Sequence, residues 1–312
     1  MTHAVDGASI LLTGGTGSFG SRFAVRVLAE HSPRSVTIFS RDELKQSELR
    51  RTLSDDRIRW IIGDVRDRDR LHWAMRDIDI VVHAAALKQV ATAEANPSEV
   101  VATNIGGSLN VVSTALDAGA RRVLLVSSDK ACAPLNLYGT TKAVAEKLFV
   151  WANSDGPGLF SCVRYGNVAG SRGSVIPLWR SQVKAGTLTL TDPNATRFWL
   201  TLDQGVDFVL WALTNMHGGE VFVPRLPSTR VSALASVVAP GCAWRHIPLG
   251  AGEKAHELLV SRDEARRAAP TERGWAIYPN VRNVMPAGWE YGSGDNDWWL
   301  EGDALSSAVA KT

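Results

Sequence analysis

Three glycines between a predicted strand and a predicted helix constrain the fold of this 312-residue chain more than any other feature. The apolar run at residues 9–12 ends at segment 13–20, TGGTGSFG, and apolar residues then recur at helical spacing. A strand, a glycine turn and a helix N-terminus favour a pyrophosphate, because the backbone can approach the anion and the helix end carries partial positive charge. The segment therefore predicts a dinucleotide site. Its predicted contact residues are Gly14, Thr16, Gly17, Ser18, Phe19 and Gly20.

Strands and helices alternate through the first half of the chain. Further apolar runs that predict strands lie at 35–39, 59–62, 78–83 and 122–126, with helical stretches between most of them. This order predicts a parallel sheet with helices on both faces, joined by right-handed connections. We therefore expect an α/β protein whose residues 1–165 form a Rossmann-type, doubly wound domain that binds NADP.

Beyond residue 165 this rhythm weakens. Aromatic residues at 198–199, 244 and 298–299 stand among glycines and prolines without regular strand–helix spacing. Residues 166–312 are expected to form a smaller, irregular α/β substrate-binding region. Apolar runs at 160–164 and 221–223 have the length of further sheet strands, so this region is expected to be partly interleaved with the sheet.

Charge and cysteine usage exclude several classes of partner. The 34 Lys and Arg residues nearly balance the 32 Asp and Glu, and no basic cluster predicts a nucleic-acid surface. No apolar run has the length of a membrane span, and the first residues lack the order of a signal peptide. Three cysteines without CxxC spacing and seven histidines without an HxxxH pair predict no metal site and a reducing compartment. These features predict a cytoplasmic enzyme with a small-molecule substrate.

The end of the second predicted strand indicates which dinucleotide is bound. NAD enzymes usually place a carboxylate there for the ribose diol, whereas this chain has Ser40 and Arg41, with Lys45 downstream. A hydroxyl, a guanidinium and an ammonium suit a ribose 2′-phosphate, so NADP is favoured over NAD. A surface role for the two cations is the alternative. Asp64 and Val65, after the third strand, are expected near the adenine.

Tyr138 and Lys142 are four residues apart at the start of a predicted helix, so both side chains face one side. A cation beside the phenol is expected to lower the pKa of Tyr138 and make it a general base for a hydroxyl proton as hydride leaves carbon. This spacing is common by chance. It gains meaning here from the glycine turn and the fifth strand that precede it.

Three polar residues follow the fifth strand, at the edge where doubly wound sheets bind ligands. Ser128 is expected to hydrogen-bond the reacting sugar hydroxyl. Lys130 can remove a carbon-bound proton next to a ketone while Asp129 protonates the departing hydroxide, which together make a β-elimination. A solvated Asp-Lys turn is the alternative. His83, at the end of the fourth strand, is expected to be a structural residue or to lie at the rim of the cofactor site, and not to be a catalyst.

These residues resemble those of an extended short-chain dehydrogenase/reductase, and more closely those of the inverting UDP-N-acetylglucosamine 4,6-dehydratases of polysaccharide and pseudaminic acid biosynthesis. The likeness runs from about residue 11 to residue 280. The segments that carry it are TGGTGSFG (13–20), SRDELKQ (40–46), GDVRD (63–67), HAAALK (83–88), DKA (129–131), YGTTK (138–142), RYGNV (164–168), GSRGS (170–174), TRFW (196–199) and MHGGE (216–220).

The resemblance implies a sugar dehydratase with NADP that oxidises C4, removes the C5 proton, expels the C6 hydroxyl and returns the hydride internally. In the family, the lysine matching Lys130 is the C5 base, the aspartate matching Asp129 is the acid, and the pair matching Tyr138 and Lys142 carries the redox step. A homo-oligomer is also expected. Further cofactor contacts are expected at Ala84, Ala85, Ala86 and Asn104. Substrate contacts are expected at Lys88, Asn167, Arg172, Arg197, Arg225 and Glu253.

The chain departs from the family where an arginine is expected to grip the substrate diphosphate. The family usually reads Arg-Pro-Gly-Glu-Lys, whereas segment 250–254 reads GAGEK and begins with Gly250. Losing a charge-assisted contact costs about 2 kcal/mol. Ala133 likewise stands where the family tends to have Asn.

The loss at Gly250 leaves the substrate open. An unphosphorylated nucleoside of an antibiotic pathway, converted to a 5,6-unsaturated sugar, is the alternative to a UDP-N-acetylhexosamine. Hydride return to C6 would give a 4-keto-6-deoxy sugar, and return to C4 would leave the 5,6-alkene. A sugar 4-epimerase or dehydrogenase, and a catalytically silent dinucleotide-binding protein, are further alternatives.

Overall fold

The computed structural model describes residues 3–171 and 173–312. The strands are β1 (Ser9–Thr13), β2 (Ser35–Ser40), β3 (Ile58–Ile62), β4 (Ile80–His83), β5 (Arg122–Val126), β6 (Leu159–Val163), β7 (Thr187–Leu190), β8 (Thr196–Phe198), β9 (Val221–Pro224), β10 (Ser228–Arg230), β11 (Ala243–His246), β12 (Leu258–Val260), β13 (Ala268–Thr271), β14 (Gly274–Ile277) and β15 (Tyr291–Gly292).

The helices are α1 (Ser18–Glu30), α2 (Glu43–Thr52), α3 (Arg68–Ala74), α4 (Val90–Ala95), α5 (Pro97–Val100), α6 (Gly107–Asp117), α7 (Leu137–Ala152), α8 (Val175–Gln182), α9 (Leu202–Asn215), α10 (Val231–Val238), α11 (Arg262–Ala265) and α12 (Gly302–Ala310). A π-helical stretch, Val101–Gly106, joins α5 to α6, and single 3₁₀ turns lie at Asp129–Ala131 and Val183–Ala185. Within the described residues, none of these helices is long and apolar enough to cross a membrane.

A nine-stranded sheet forms the centre of the molecule, in the order β3-β2-β1-β4-β5-β6-β9-β14-β13. Every pair from β3 to β9 is parallel, and β14 and β13 add an antiparallel edge. All five residues of β1 are buried, as expected for a parallel strand covered on both faces. The predicted doubly wound α/β fold is confirmed.

The strand order reverses beside β1, which pairs with β2 on one side and β4 on the other. Loops after neighbouring strands part at such a point, and the crevice between their carboxyl ends binds ligands in doubly wound folds. The topology therefore places the glycine turn after β1, the segment after β4 and the Ser128–Lys130 segment around one crevice.

The second half of the chain contributes to two cores. Its strands β9, β13 and β14 complete the main sheet, and β9 and β6 match the apolar runs at 221–223 and 160–164. A separate apolar core lies beneath α8 and α10, and three two-stranded sheets, β8 with β10, β7 with β11 and β12 with β15, complete this part. The division of the chain near residue 165 stays a prediction. The largest side chains of the separate core are Trp179 and Trp199, followed by Ile176, Leu188, Leu190, Leu234 and Leu305.

Candidate active site

A cavity of about 950 Å³ lies at the carboxyl ends of the central strands, and both halves of the chain form its wall. Predicted site residues in the wall are Gly14, Thr16, Gly17, Ser18, Phe19, Gly20, Lys45, Ala84, Ala86, Lys88, Ser128, Lys130, Tyr138, Lys142, Asn167, Arg197 and Glu253. Predicted site residues that are described but do not line it are Ser40, Arg41, Asp64, Val65, Ala85, Asn104, Asp129 and Arg225. Arg172 lies outside the described residues.

The glycine turn packs closely against neighbouring backbone. Gly14 has a φ of 69°, and a Cβ there would lie 2.8 Å from the amide nitrogen of Ala85. A Cβ at Gly20 would lie 2.6 Å from the Gly14 carbonyl oxygen. The N-cap of α1 is Gly17, which offers no side-chain cap, and the first turn of α1 carries no acidic residue. This helix end, in the cavity wall, therefore fits a dinucleotide pyrophosphate.

Two cations stand at the end of β2. The Arg41 guanidinium is half exposed and lies 3.4 Å from an Asp64 carboxylate oxygen, which also accepts from Arg66 at 2.7 Å. The Lys45 ammonium lies 2.6 Å from Asp42. Exposed ion pairs of this kind contribute little. A phosphate at this place can therefore draw both cations away from their carboxylates.

His83 is structural, as expected. Its Nδ1 lies 2.7 Å from the Thr13 hydroxyl and its Nε2 lies 3.2 Å from the Ser108 hydroxyl, and the ring is buried. Burial and, to a smaller extent, the positive charge of Lys142 together lower the pKa of His83 to about 3. The imidazole is therefore neutral at neutral pH and joins β1, β4 and α6.

Asn104 holds the segment after β4 against α7. Its Oδ1 accepts from the Leu87 amide at 2.8 Å, and its Nδ2 donates to the Leu87 carbonyl and to the Thr141 hydroxyl, both at 3.0 Å. Both amide hydrogens are thus used within the protein. Asn104 acts on the cavity by positioning the segment that contains Ala84, Ala86 and Lys88.

A glycine sets the distance between α7 and the Asp129–Ala131 turn. The Asn136 side chain caps α7 by accepting from the Gly139 amide at 2.8 Å, and it donates to the Gly252 carbonyl at 2.7 Å. A Cβ on Gly139 would collide with the Lys130 carbonyl. Only glycine therefore lets the start of α7 pack onto this turn, which brings Tyr138 beside Ser128.

Burial opposes ionisation of both members of the Tyr138 and Lys142 pair. It lowers the pKa of Lys142 to about 8, and the Lys142 ammonium donates to the Val126 carbonyl at 2.8 Å. Burial also raises the pKa of Tyr138, although contact with the Ser128 hydroxyl lowers it in part. The expected lowering of the Tyr138 pKa is therefore not found, because burial dominates and the Lys142 ammonium is directed to a carbonyl.

Lys130 is held by three acceptor side chains. Its Nζ lies 3.2 Å from each Asp129 carboxylate oxygen, 2.8 Å from Glu257 Oε1 and 3.3 Å from Asn167 Oδ1. Burial lowers the pKa of Lys130, but the charges of Asp129 and Glu257 outweigh it and raise that pKa overall. Lys130 is therefore an ammonium in this arrangement, whereas the expected base role needs the neutral amine.

The two carboxylates beside Lys130 differ in position. Asp129 is 1% exposed and lies behind the wall, where it accepts from the Ser128 hydroxyl at 2.9 Å. Glu257 lies in the wall, is 3% exposed, and its Oε2 has no hydrogen-bond partner among the described residues. Arg197 lies 3.7 Å from Glu257 Oε1.

Sequence reasoning missed Glu257, because it directly precedes β12, 127 positions after Lys130. The available signal was a carboxylate directly before the apolar run at 258–260.

Only some of the predicted substrate contacts lie in the cavity wall. Arg225 is exposed and donates to Asp297 at 2.9 Å, so its position gives no support for a substrate contact. Gly250 is exposed, and its amide donates to Glu253 at 3.2 Å. Lys254, which sequence reasoning did not select, lies in the wall and donates to the Cys132 carbonyl at 2.6 Å.

A second buried charge cluster lies next to the site. Arg164 donates to Glu146 at 2.6 and 3.0 Å, to Glu264 at 2.8 and 2.9 Å, and to the Leu259 carbonyl at 2.9 Å. Glu146 also accepts from the Ser127 hydroxyl at 2.6 Å. Because Glu146 belongs to α7 and Glu264 to α11, this cluster fastens the segment after Glu257 to the helix that carries Tyr138 and Lys142.

Neither disulfides nor metal sites contribute to this arrangement. Cys132, Cys162 and Cys242 are free thiols. Within residues 3–171 and 173–312, no group of three or more His, Cys, Asp or Glu side chains could hold a metal ion.

Comparison with known proteins places this site in a family. Residues 10–279 match the model of a family described as polysaccharide biosynthesis protein. A UDP-N-acetylglucosamine 4,6-dehydratase (inverting) of Campylobacter jejuni is 41% identical over 98% of each chain. A UDP-glucose 4-epimerase of Rickettsia conorii is 41% identical over 83% of this chain and 80% of its own. The X-ray structure of Pen from Bacillus thuringiensis superposes with a TM-score of 0.91, at 35% identity and 99% coverage of both chains.

These matches confirm the resemblance expected from the sequence motifs. The family model covers most of the chain, and the dehydratase relative spans its whole length at substantial identity. The chain belongs to the polysaccharide biosynthesis protein family and, with it, to the NAD(P)-dependent enzymes of the short-chain dehydrogenase/reductase superfamily.

Proposed function

We propose that the protein is an NADP-dependent 4,6-dehydratase of a UDP-N-acetylhexosamine. The observation that carries this proposal is that one cavity wall contains the glycine turn, Tyr138 with Lys142, and Lys130 with Glu257. A dehydrogenase needs the first two groups, and an elimination also needs an acid and a base beside the oxidised carbon. The dehydratase relative, similar over its whole length, supports the same reaction class.

The cofactor side of the cavity provides for oxidation at C4. Bound NADP would supply the hydride acceptor and would return the hydride within the same turnover. Tyr138 and Ser128 lie in contact in the wall, so together they can orient the C4 hydroxyl and exchange its proton. Lys142 lies one helical turn after Tyr138 in α7, so the two side chains lie on the same face of the helix.

Arg41 and Lys45 support NADP rather than NAD. Both cations stand at the end of β2, and neither is held by a buried partner. Replacing Arg41 with Ala removes one charge-assisted contact to the 2′-phosphate, so NADP affinity should fall by about tenfold or more while NAD affinity changes little. Calorimetric titration of both dinucleotides measures this. Equal weakening of both would overturn the assignment to NADP.

Cations in the substrate half of the wall support a nucleotide sugar. Arg197 and Lys254 lie there, and Lys88, from the first half of the sequence, also lines the cavity. Guanidinium and ammonium groups suit a diphosphate.

Gly250 supports the second candidate, a nucleoside without phosphate. A Cβ at Gly250 would touch Glu253 at 3.4 Å, an ordinary contact, so this exposed position accepts an arginine.

The products decide between these candidates. Purified protein is supplied with UDP-N-acetylglucosamine or with unphosphorylated nucleosides, and products are analysed by mass spectrometry and proton NMR. Loss of one water from the UDP-sugar supports the proposal, and NMR separates the 4-keto-6-deoxy sugar from the 5,6-alkene. Water loss only from a nucleoside establishes the second candidate, and a product of unchanged mass with inverted C4 indicates an epimerase.

A matched variant tests the role of Gly250. Gly250→Arg should tighten UDP-sugar binding by about tenfold if the cavity accepts a diphosphate, because it adds a charge-assisted contact. Gly250→Gln, which is long but uncharged, is the control. An equal effect of both variants would contradict a diphosphate contact at this position.

We further propose a cytoplasmic homo-oligomer. Three free thiols suit a reducing compartment. Light scattering of the purified protein measures the oligomeric state.

A further inference from the structure

The buried Gln46 side chain joins the ends of two neighbouring strands. Gln46 belongs to α2 and is 6% exposed. Its amide nitrogen Nε2 lies 2.9 Å from the carbonyl oxygen of Ile61 in β3. The same nitrogen lies 3.1 Å from the carbonyl oxygen and 3.0 Å from the hydroxyl oxygen of Ser40, the last residue of β2. One amide group therefore contacts the carboxyl ends of both strands.

The two carbonyl oxygens fix the orientation of this amide. A backbone carbonyl can only accept a hydrogen bond, so the group of Gln46 that faces Ile61 and Ser40 must be its NH₂ end. The Ser40 hydroxyl oxygen meets the same NH₂ group and therefore also accepts. The hydroxyl hydrogen of Ser40 then points away from Gln46, and it has no acceptor among the described residues.

Ser40 follows a residue that contacts the glycine turn. The Phe39 carbonyl accepts from the Gly14 amide at 2.9 Å, so the end of β2 is tied to the turn that fits a pyrophosphate. Ser40 comes next and is 8% exposed. In doubly wound folds, the side chain at the end of this strand meets the ribose of the dinucleotide. The fold therefore puts the Ser40 hydroxyl where the ribose 2′ position is recognised.

Two carboxylates near this corner are committed to cations. Asp42 accepts from the Lys45 amide at 3.0 Å, and its other oxygen lies 2.6 Å from the Lys45 ammonium. One oxygen of Asp64 lies 2.7 Å from the Arg66 guanidinium and 3.4 Å from that of Arg41. A ribose diol is usually recognised by a free carboxylate, whereas a phosphate needs donors. The Ser40 hydrogen is a donor and suits a phosphate.

We propose that Gln46 is a positioning residue for NADP, which holds the Ser40 hydroxyl as a hydrogen-bond donor to the 2′-phosphate. This inference rests on the proposed use of NADP. The effect of Gln46 on the cofactor passes through Ser40. The contact with Ile61 keeps the amide from turning over, because the reversed amide would direct its oxygen at two carbonyl oxygens.

The polarity of the Ser40 hydroxyl has a consequence for specificity. A free serine hydroxyl rotates among several partners, whereas the contact with Gln46 leaves the Ser40 hydrogen for a ligand. A phosphate dianion gains a charge-assisted bond from this hydrogen, and the uncharged 2′-hydroxyl of NAD gains a weaker one. Loss of the Gln46 amide should therefore weaken NADP binding more than NAD binding.

Calorimetric titration of the purified protein with NADP and with NAD measures this difference. Gln46→Met keeps the length of the side chain but removes the amide, so NADP affinity should fall by about fivefold while NAD affinity stays within about twofold. Gln46→Glu reverses the polarity, because a carboxylate accepts the Ser40 hydrogen. NADP affinity should then fall by about tenfold or more.

A double-mutant cycle shows whether Gln46 acts through Ser40. Ser40→Ala should lower NADP affinity by about tenfold, because it removes the donor. In the Ser40→Ala protein, adding Gln46→Met should change NADP affinity by less than about twofold, since the hydroxyl that Gln46 orients is gone. Full additivity of the two changes would overturn the proposal.

Ser47→Glu is the matched control for the charge of Gln46→Glu. Ser47 is the exposed neighbour of Gln46 in α2, and its NADP affinity should stay within about twofold of wild type. An NADP loss as large as that of Gln46→Glu would overturn the reversed polarity on which the proposal depends. Circular dichroism and urea midpoints verify folding. If Gln46→Glu does not fold, Gln46→Met and the double-mutant cycle decide.

Failure of the proposed cofactor has a different signature. If wild-type protein binds NAD at least as tightly as NADP, the assignment of NADP falls and the role of Gln46 falls with it. If wild-type protein prefers NADP but Gln46→Met weakens both dinucleotides equally, NADP stands and Gln46 is only structural. Water loss from the nucleotide sugar, measured separately, tests the dehydratase itself.

Discussion

Two buried clusters in this protein each place one cation between two carboxylates, and they differ in how completely their polar groups are satisfied. Arg164 makes five hydrogen bonds, which equals the donor number of a guanidinium. Around Lys130, one carboxylate oxygen of Glu257 has no partner within the described residues. A satisfied network fixes structure, whereas an unsatisfied one beside a cavity is available to a ligand.

The two clusters are also connected. Glu257 lies directly before β12, and Glu264 lies in α11, which follows β12. The Arg164 bonds to Glu264 and to the Leu259 carbonyl hold this segment against Glu146 of α7. The structural cluster therefore helps to hold Glu257 beside Lys130.

The largest expected effect comes from breaking the satisfied cluster. Arg164→Met leaves two carboxylates buried without their cation and should lower the free energy of unfolding by about 4 kcal/mol. Urea unfolding measures the change. Arg225→Met is the control, because its exposed pair with Asp297 should contribute less than about 1 kcal/mol. Similar losses in both variants would show that the Arg164 network is not structural.

The contribution of the Arg164 cluster to stability should depend on pH, because acid protonates the Glu264 carboxylate. Burial raises the pKa of Glu264, but Arg164 outweighs burial and holds that pKa at about 2, below its ordinary value of 4.5. A carboxyl with a lowered pKa stabilises the folded state above pH 4.5, and this contribution is lost as pH falls towards 2. The loss should be about 3 kcal/mol.

Glu264→Gln removes that titration. Free energies of unfolding measured by urea between pH 5 and pH 2, roughly the range over which the carboxyl titrates, should therefore fall less steeply in the variant than in wild type. Equal slopes would mean that Arg164 does not hold the Glu264 carboxyl ionised.

Removing a carboxylate from the unsatisfied cluster around Lys130 should have a small effect on the free energy of unfolding. Glu257→Gln should lower the free energy of unfolding by less than Arg164→Met does, because Oε2 has no bond to lose, the Gln amide oxygen can still accept from Lys130, and Asp129 still pairs with Lys130. Thermal and urea unfolding measure this change. A loss as large as that of Arg164→Met would make Glu257 a structural residue and remove the contrast.

The smallest expected change in the free energy of unfolding comes from position 133, in the loop between the Asp129–Ala131 turn and α7. Ala133 has a φ of 44°, a left-handed conformation that Asn tolerates better than Ala. Ala133→Asn should raise the free energy of unfolding by about 0.5 kcal/mol. The exposed Ala251 has no such conformation, so Ala251→Asn is the control and should have no stabilising effect. A gain in both variants would exclude the backbone explanation.

The departure from the family at position 133 shows what the sequence could and could not tell. The exchange of Asn for Ala was visible in the sequence, but its cost depends on a backbone angle that only the folded turn defines. The pKa of Tyr138 is a similar case. Four-residue spacing correctly places Tyr138 and Lys142 on one helix, but the effect of burial and the direction of the Lys142 ammonium depend on the surrounding core.

Local patterns in the sequence were sufficient for the doubly wound sheet, the glycine turn and the polar residues after β5. Each of these is encoded by neighbouring residues: apolar runs of strand length, glycines at a turn, and a helix that follows. The crevice at the strand ends follows from the topology of parallel strands, so the cofactor half of the cavity was predictable.

Tertiary structure alone decided the partners of Lys130. Glu257 comes 127 positions later in the chain, and it meets Lys130 because β12 and α11 are fastened to α7 through Arg164. No local periodicity encodes such a meeting, since it depends on how two distant segments pack. The charge state of a buried group depends on all the charges that packing brings near it. Local sequence patterns therefore indicated part of the cavity wall, whereas the fold decided the remaining lining residues and the protonation of the buried groups.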